Sequence, residues 1–98
     1  MVKSRRTFQE ATTSLQPQVV LSRANEFFSH RNPLYAAFLE QEAPGYSTFR
    51  GQGGEEIVIA VAPDGANTRV TGSTYMFDAQ VSRFFSVLPP VATPLEAA

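Results

Sequence analysis

Apolar residues occupy both faces of the segment from residue 57 to residue 62. Successive side chains of a β-strand point to opposite sides of the sheet. One face therefore carries Ile57, Ile59 and Val61, and the other carries Val58, Ala60 and Ala62. A strand half-buried at the surface of a monomer would alternate apolar with polar residues instead. The pattern predicts a strand that is covered on both sides, and it leaves open which of the two sets faces outward.

Two other segments have apolar residues at the three- and four-residue spacing of a helix. The first predicted helix runs from Pro17 to His30, because proline is favoured in the first turn and another proline follows the segment closely. The second runs from about Phe77 to Val87 and ends before two consecutive prolines. Its apolar stripe consists of Phe77, Val81, Phe84, Phe85 and Leu88.

Each predicted helix carries two adjacent phenylalanines, Phe27-Phe28 and Phe84-Phe85. Adjacent helical residues differ by about 100° in direction, so both members are buried only where the helix has a wide apolar face. Packing of a helix on a sheet would provide that face, and so would a partner or ligand covering its margin. Both interpretations remain open at this point.

The remaining segments predict a strand, then a meander of strands. Residues 5–14 are rich in threonine and predict the first strand, and residues 46–50 predict a short one. Residues 34–42 fit either a helical turn or a strand, and we expect an irregular or short helical entry that passes into a strand. Turns are expected at Pro44-Gly45, at the glycine-rich residues 51–54 and at residues 63–67.

This order of elements predicts an α+β fold, in which an antiparallel sheet of four or five strands has two helices packed on one face. Residues 1–88 form the single domain, and residues 89–98 form a proline-containing tail. The tail has no periodicity, but its prolines favour an extended form. Val91 and Leu95 could then serve as apolar anchors of a docking segment. The alternative is an unstructured end.

Composition excludes several classes of function. The formal net charge of −1 is too small for an electrostatic grip on nucleic acid, which we therefore do not expect as a partner. The chain has no cysteine, which suits a reducing compartment, and its basic start lacks the apolar core of a signal peptide. No apolar stretch is long enough for a transmembrane segment. We expect a cytoplasmic location.

No pattern of catalytic or metal-binding residues is present. His30 is the one histidine, and an imidazole without cysteine or further histidines does not make a transition-metal site. Glu55 and Glu56 are adjacent at a strand start, so they point to opposite faces and cannot share one site. The glycine-rich loop leads into a strand rather than a helix, unlike a phosphate loop. We expect no enzyme activity, no cofactor and no metal.

The opening strand is followed by residues 15–20, and residues 68–73 lead through Phe77-Asp78 into the last helix. In these two parts the chain resembles the START-like superfamily of polyketide cyclases and lipid-transfer proteins. START-like domains are longer and have more strands, and the missing part is the one that encloses their ligand. The same order of elements is also similar to one half of a TATA-binding-protein-like fold. These are similarities of architecture only.

Two functions follow as expectations. The first is a small non-catalytic interaction module, self-associating or an accessory subunit, that docks on a protein through its open sheet face and tail. Its candidate interface residues are Val58, Ala60, Ala62, Val91 and Leu95. The second, implied by the resemblance, is binding of an apolar small molecule or lipid between helix and sheet. Pockets for such ligands occupy about 300–1,000 Å³, which a chain this short could enclose only by giving up much of its core.

Overall fold

The computed structural model describes residues 6–30, 37–51 and 53–91. It confirms the predicted α+β fold, with one open antiparallel sheet of five strands and two helices. In chain order the elements are β1 (Thr7–Thr13), α1 (Pro17–His30), β2 (Phe38–Ala43), β3 (Tyr46–Arg50), β4 (Glu56–Asp64), β5 (Asn67–Tyr75) and α2 (Asp78–Ser86).

The sheet has the strand order β1-β5-β4-β3-β2, which places the two-sided apolar strand β4 at its centre. Strands β2 to β5 form a meander of neighbouring hairpins, and β1 adds to the far edge by pairing with β5. The β4–β5 turn is tighter than predicted, since Asp64 still pairs with Asn67 across Gly65-Ala66. Gly65 has a φ of +64°, which fits a two-residue turn with glycine at its first central position.

Strand β2 resolves the ambiguous segment as far as the structure describes it. The strand begins at Phe38, and its pairing with β3 shifts register between Leu39 and Gln41. Such a bulge adds one residue to one strand and re-aims its side chain. The helical entry expected at residues 34–36 lies outside the described residues.

Both helices cover the same face of the sheet, as predicted. Helix α1 packs on β2, β3 and β4, and α2 packs on β1 and β5. Three aromatic rings meet between the layers: Phe28 lies 5.3 Å from both Phe49 and Phe84, measured between ring centroids. Ile57 and Ile59 of β4 are fully buried and form the sheet side of this core.

Close contact between α2 and the sheet depends on Gly72 of β5. A Cβ atom at this position would come within 2.7 Å of the Phe85 ring and 3.1 Å of Val81. The start of α2 is fixed by Thr74, whose hydroxyl donates to the carbonyl of Glu56 at 2.7 Å and accepts from the amide of Phe77 at 3.2 Å. The start of the last helix is thereby held to β5 by both packing and hydrogen bonding.

Candidate interaction surface

Strand β4 decides which apolar set faces away from the helices. Ile57 and Ile59 are 0% exposed beneath the helices, so Val58, Ala60 and Ala62 lie on the opposite side of the sheet. Val58 and Ala60 are half-buried by their neighbours in the sheet, and Ala62 is exposed. The smaller of the two sets is therefore the outward one.

The register places hydroxyl-bearing residues of the neighbouring strands β3 and β5 beside this apolar line. We call the resulting surface the outer face. Its central members are Val58, Ala60 and Ala62 of β4, Tyr46 and Thr48 of β3, Thr71 and Ser73 of β5, and Phe8 of β1. Phe8 is paired with Ser73 and is 72% exposed, which is the largest exposure among the described large hydrophobic residues. No covering element is present over the outer face in the described part of the chain.

One end of the outer face is bordered by a row of alternating charges. Arg6 donates to Glu56 at 2.7 Å and to the hydroxyl of Ser73 at 2.8 Å. On the other side of Glu56, the Arg50 guanidinium lies 3.5 Å from the second carboxylate oxygen and 3.1 Å from Glu40. We call Arg6, Glu56, Arg50 and Glu40 the charged row. It crosses the sheet from the β1 edge to the β2 edge.

The opposite end carries a second, looser group of charges. Arg69 lies 3.5 Å from Glu10 and 3.9 Å from Asp64, and all three side chains are about half exposed. Ion pairs in such solvated positions contribute about 0–1 kcal/mol each, so these pairs add little to the stability of the fold. Together with the charged row they border an apolar centre on two sides.

The structure places the predicted interface residues in two separate regions. Val58, Ala60 and Ala62 are together on the outer face. Val91 is half-buried at the end of the last described segment, and Leu95 lies outside the described residues. The beginning of the tail contacts the domain, since the Thr13 hydroxyl donates to the carbonyl of Pro89 at 2.7 Å.

Sequence reasoning missed Phe8 as a surface residue and the whole charged row. Arg6 and Glu56 are 50 residues apart, and Glu40, which contacts Arg50, lies at the register shift in β2. Glu56, which we placed at a strand start, is the half-buried centre of two ion pairs. No local signal marks such long-range partners.

Other candidate sites carry less chemistry. Glu55 accepts from the amide of Gly53 at 2.8 Å and so shapes the glycine-rich loop, while the side chain of His30 lies outside the described atoms. In the described ranges no three His, Cys, Asp or Glu residues are grouped as metal ligands. No helix among these residues has the length and apolar character needed to cross a bilayer.

A groove of about 390 Å³ lies between the two helices. It is lined by Ser22, Arg23, Glu26, Phe27, Phe84, Val87 and Leu88. The START-like alternative would place its ligand elsewhere, between the helices and the sheet. There the rings of Phe28, Phe49 and Phe84 are in contact with one another.

Comparisons with known proteins add no relative to this geometry. No family model, no curated protein and no solved structure matches the chain.

Proposed function

We propose that this chain is a small, non-catalytic interaction module that docks on a protein surface through its outer face. One observation carries the proposal: the apolar residues Val58, Ala60 and Ala62 lie uncovered at the sheet centre, between two groups of charged residues. A cytoplasmic location is part of the proposal, since a chain without cysteine needs no oxidising compartment.

This arrangement has the anatomy of a protein interface. Interfaces have an apolar centre depleted of charge, surrounded by a polar, solvent-accessible rim. Small side chains at the centre allow the backbone of the sheet to approach a flat partner closely. Phe8 adds a large exposed ring at the margin, and rings of this kind supply much of the contact area where proteins associate. If the outer face were solvated instead, the exposed ring of Phe8 and the apolar residues of β4 would have no role in binding.

The native particle mass in an extract of expressing cells tests the proposal. We expect the wild-type chain in a particle heavier than its own 10.7 kDa. Ala60→Lys should release the monomer, because a lysine at the centre of the outer face would be desolvated by any docked protein. Ser82→Lys, which adds the same charge to an exposed position on α2, is the matched control and should leave the particle unchanged.

Unchanged circular dichroism of Ala60→Lys would establish that its fold is intact. A wild-type chain that migrates as a free monomer, or a particle insensitive to Ala60→Lys, would contradict the proposal.

A further inference from the structure

The charged row begins with a positive residue at one edge of the sheet and ends with a negative residue at the other. Arg6 stands at the β1 edge and Glu40 at the β2 edge, with Glu56 of the central strand and Arg50 between them. A rotation of the sheet by 180° about β4 therefore brings its positive edge to the place of its negative edge. The two edges of this surface are therefore complementary to those of a reversed copy.

We infer that the outer face binds a second copy of this chain, in a twofold dimer whose axis runs along β4. The inference rests on the proposed function and names its partner. In a twofold interface the same patch is used by both subunits, so that residue i meets residue j and j meets i. Two sheets packed face to face in this way would form a sandwich with aligned strands.

This axis pairs opposite charges at the edges of the sheet and apolar residues at its centre. It brings Arg6 of each copy opposite Glu40 of the second copy, which happens twice in the dimer. It also brings Val58 and Ala60 opposite their own counterparts, so that apolar residues meet apolar residues. Glu56 and Asp64 of β4 also meet their own counterparts, and Glu56 does so between two arginines of each copy.

A twofold axis perpendicular to the strands fits less well. Passing through Ala60, such an axis would also place β4 of one copy over β4 of the other, but the two strands would run in opposite directions. Glu56 would then lie opposite Asp64 of the second copy at two places, and like charges directly opposite each other are unfavourable. Carboxylates of β4 also meet on the axis along β4, but only that axis brings Arg6 opposite Glu40 of the second copy, so it is the one that the surface favours.

The size of the outer face sets the strength of the dimer. Five strands spaced by about 4.8 Å are about 24 Å wide, and seven residues at about 3.4 Å are about as long. The contact would bury roughly 600 Å² on each copy, or roughly 1,200 Å² in total, at the lower limit of stable interfaces. We therefore expect a reversible dimer whose population changes with concentration, rather than a permanent one.

Sedimentation velocity of the purified full-length chain over a range of concentrations tests the inference. The wild type should convert from monomer to dimer as concentration rises. Ala60→Lys and Ala60→Glu should each weaken the dimer at least about 100-fold, because two like charges would meet at the axis. Mixing the two variants should restore association, since lysine would then face glutamate. Circular dichroism of each variant checks that it is folded.

Two controls fix the geometry. Ser82→Lys should dimerise like the wild type. A mixture of Val58→Lys with Ala60→Glu should associate more weakly than the Ala60 pair, because on the proposed axis Val58 and Ala60 do not face each other. Rescue by that mixture in preference to the Ala60 pair would overturn the axis.

The two proposals fail in different ways. A purified wild type that stays monomeric at all concentrations overturns the dimer. If the particle in extract is nevertheless heavy and sensitive to Ala60→Lys, the outer face binds another protein and the proposed function stands. If the extract also contains only free monomer, both proposals fall.

Discussion

Truncation of Phe84 to alanine should remove most of the stability of the domain. The side chain is 1% exposed, and its ring centroid lies 5.6 Å from that of Phe27, 5.3 Å from Phe28 and 6.0 Å from Phe85. It is thus the ring through which α2 contacts α1. Its loss would leave a cavity between both helices and the sheet.

The expected magnitude follows from this burial. Phenylalanine-to-alanine changes in cores cost about 3–5 kcal/mol, and the three ring contacts place Phe84 toward the upper end of that range. A domain of this size has a free energy of unfolding of about 5–15 kcal/mol. With a shift of about 4–8 °C per kcal/mol, a cost of about 4–5 kcal/mol should lower the melting temperature by roughly 16–40 °C.

Urea denaturation and thermal melting, both followed by circular dichroism, measure the effect. Phe8→Ala is the matched control: it deletes the same ring from an exposed position, and its cost should stay below about 1 kcal/mol. Both variants should be studied at concentrations where the chain is monomeric. If Phe84→Ala melts within a degree or two of the wild type, the packing of α2 described above is wrong.

Two further predictions concern the last helix and the tail. Gly72→Ala should lower the free energy of unfolding by about 1–3 kcal/mol, because the new methyl group would overlap the Phe85 ring. Gly45→Ala is the control and should be close to neutral in the same urea denaturation, since no atom lies nearer than 3.9 Å to its new methyl group. Equal costs for the two variants would refute the close approach of α2. Deleting residues 91–98 should leave melting of the domain unchanged and weaken its assembly in sedimentation, because Pro89 lies at the end of edge strand β1, from which the tail could reach a partner. If the truncated chain does not fold, the tail belongs to the core of the domain. If its assembly is unchanged, the tail is an unstructured end without a docking role.

Most of the fold could be predicted because its signals are local. Helix α1 has the predicted bounds, Pro17–His30, since a proline opens it and another proline follows it. Strand β3 likewise has its predicted bounds. Strand β2 was ambiguous because the bulge between Leu39 and Gln41 interrupts the period of two on which strand prediction depends.

The candidate site could be predicted only in its centre. The two-sided apolar pattern of β4 identified Val58, Ala60 and Ala62 as one face of the strand. Which face points away from the helices became clear only from the packing of the helices on Ile57 and Ile59. The charged row depends on the pairing of distant strands, so residues such as Arg6 and Glu40 carried no local sign of their position. Strand order, rather than composition, creates that part of the surface.

The position of β1 has a consequence for how the chain folds. Strands β2 to β5 pair with neighbours in sequence, whereas β1 pairs with β5, where contacts such as that of Arg6 with Ser73 join residues 67 apart. Each doubling of a closed loop adds about 0.6 kcal/mol of entropy cost, so this closure costs about 2 kcal/mol more than that of a short hairpin. During synthesis, β1 therefore has no place in this sheet until β5 has followed it. Until β1 pairs with it, β5 is itself an open edge of the sheet.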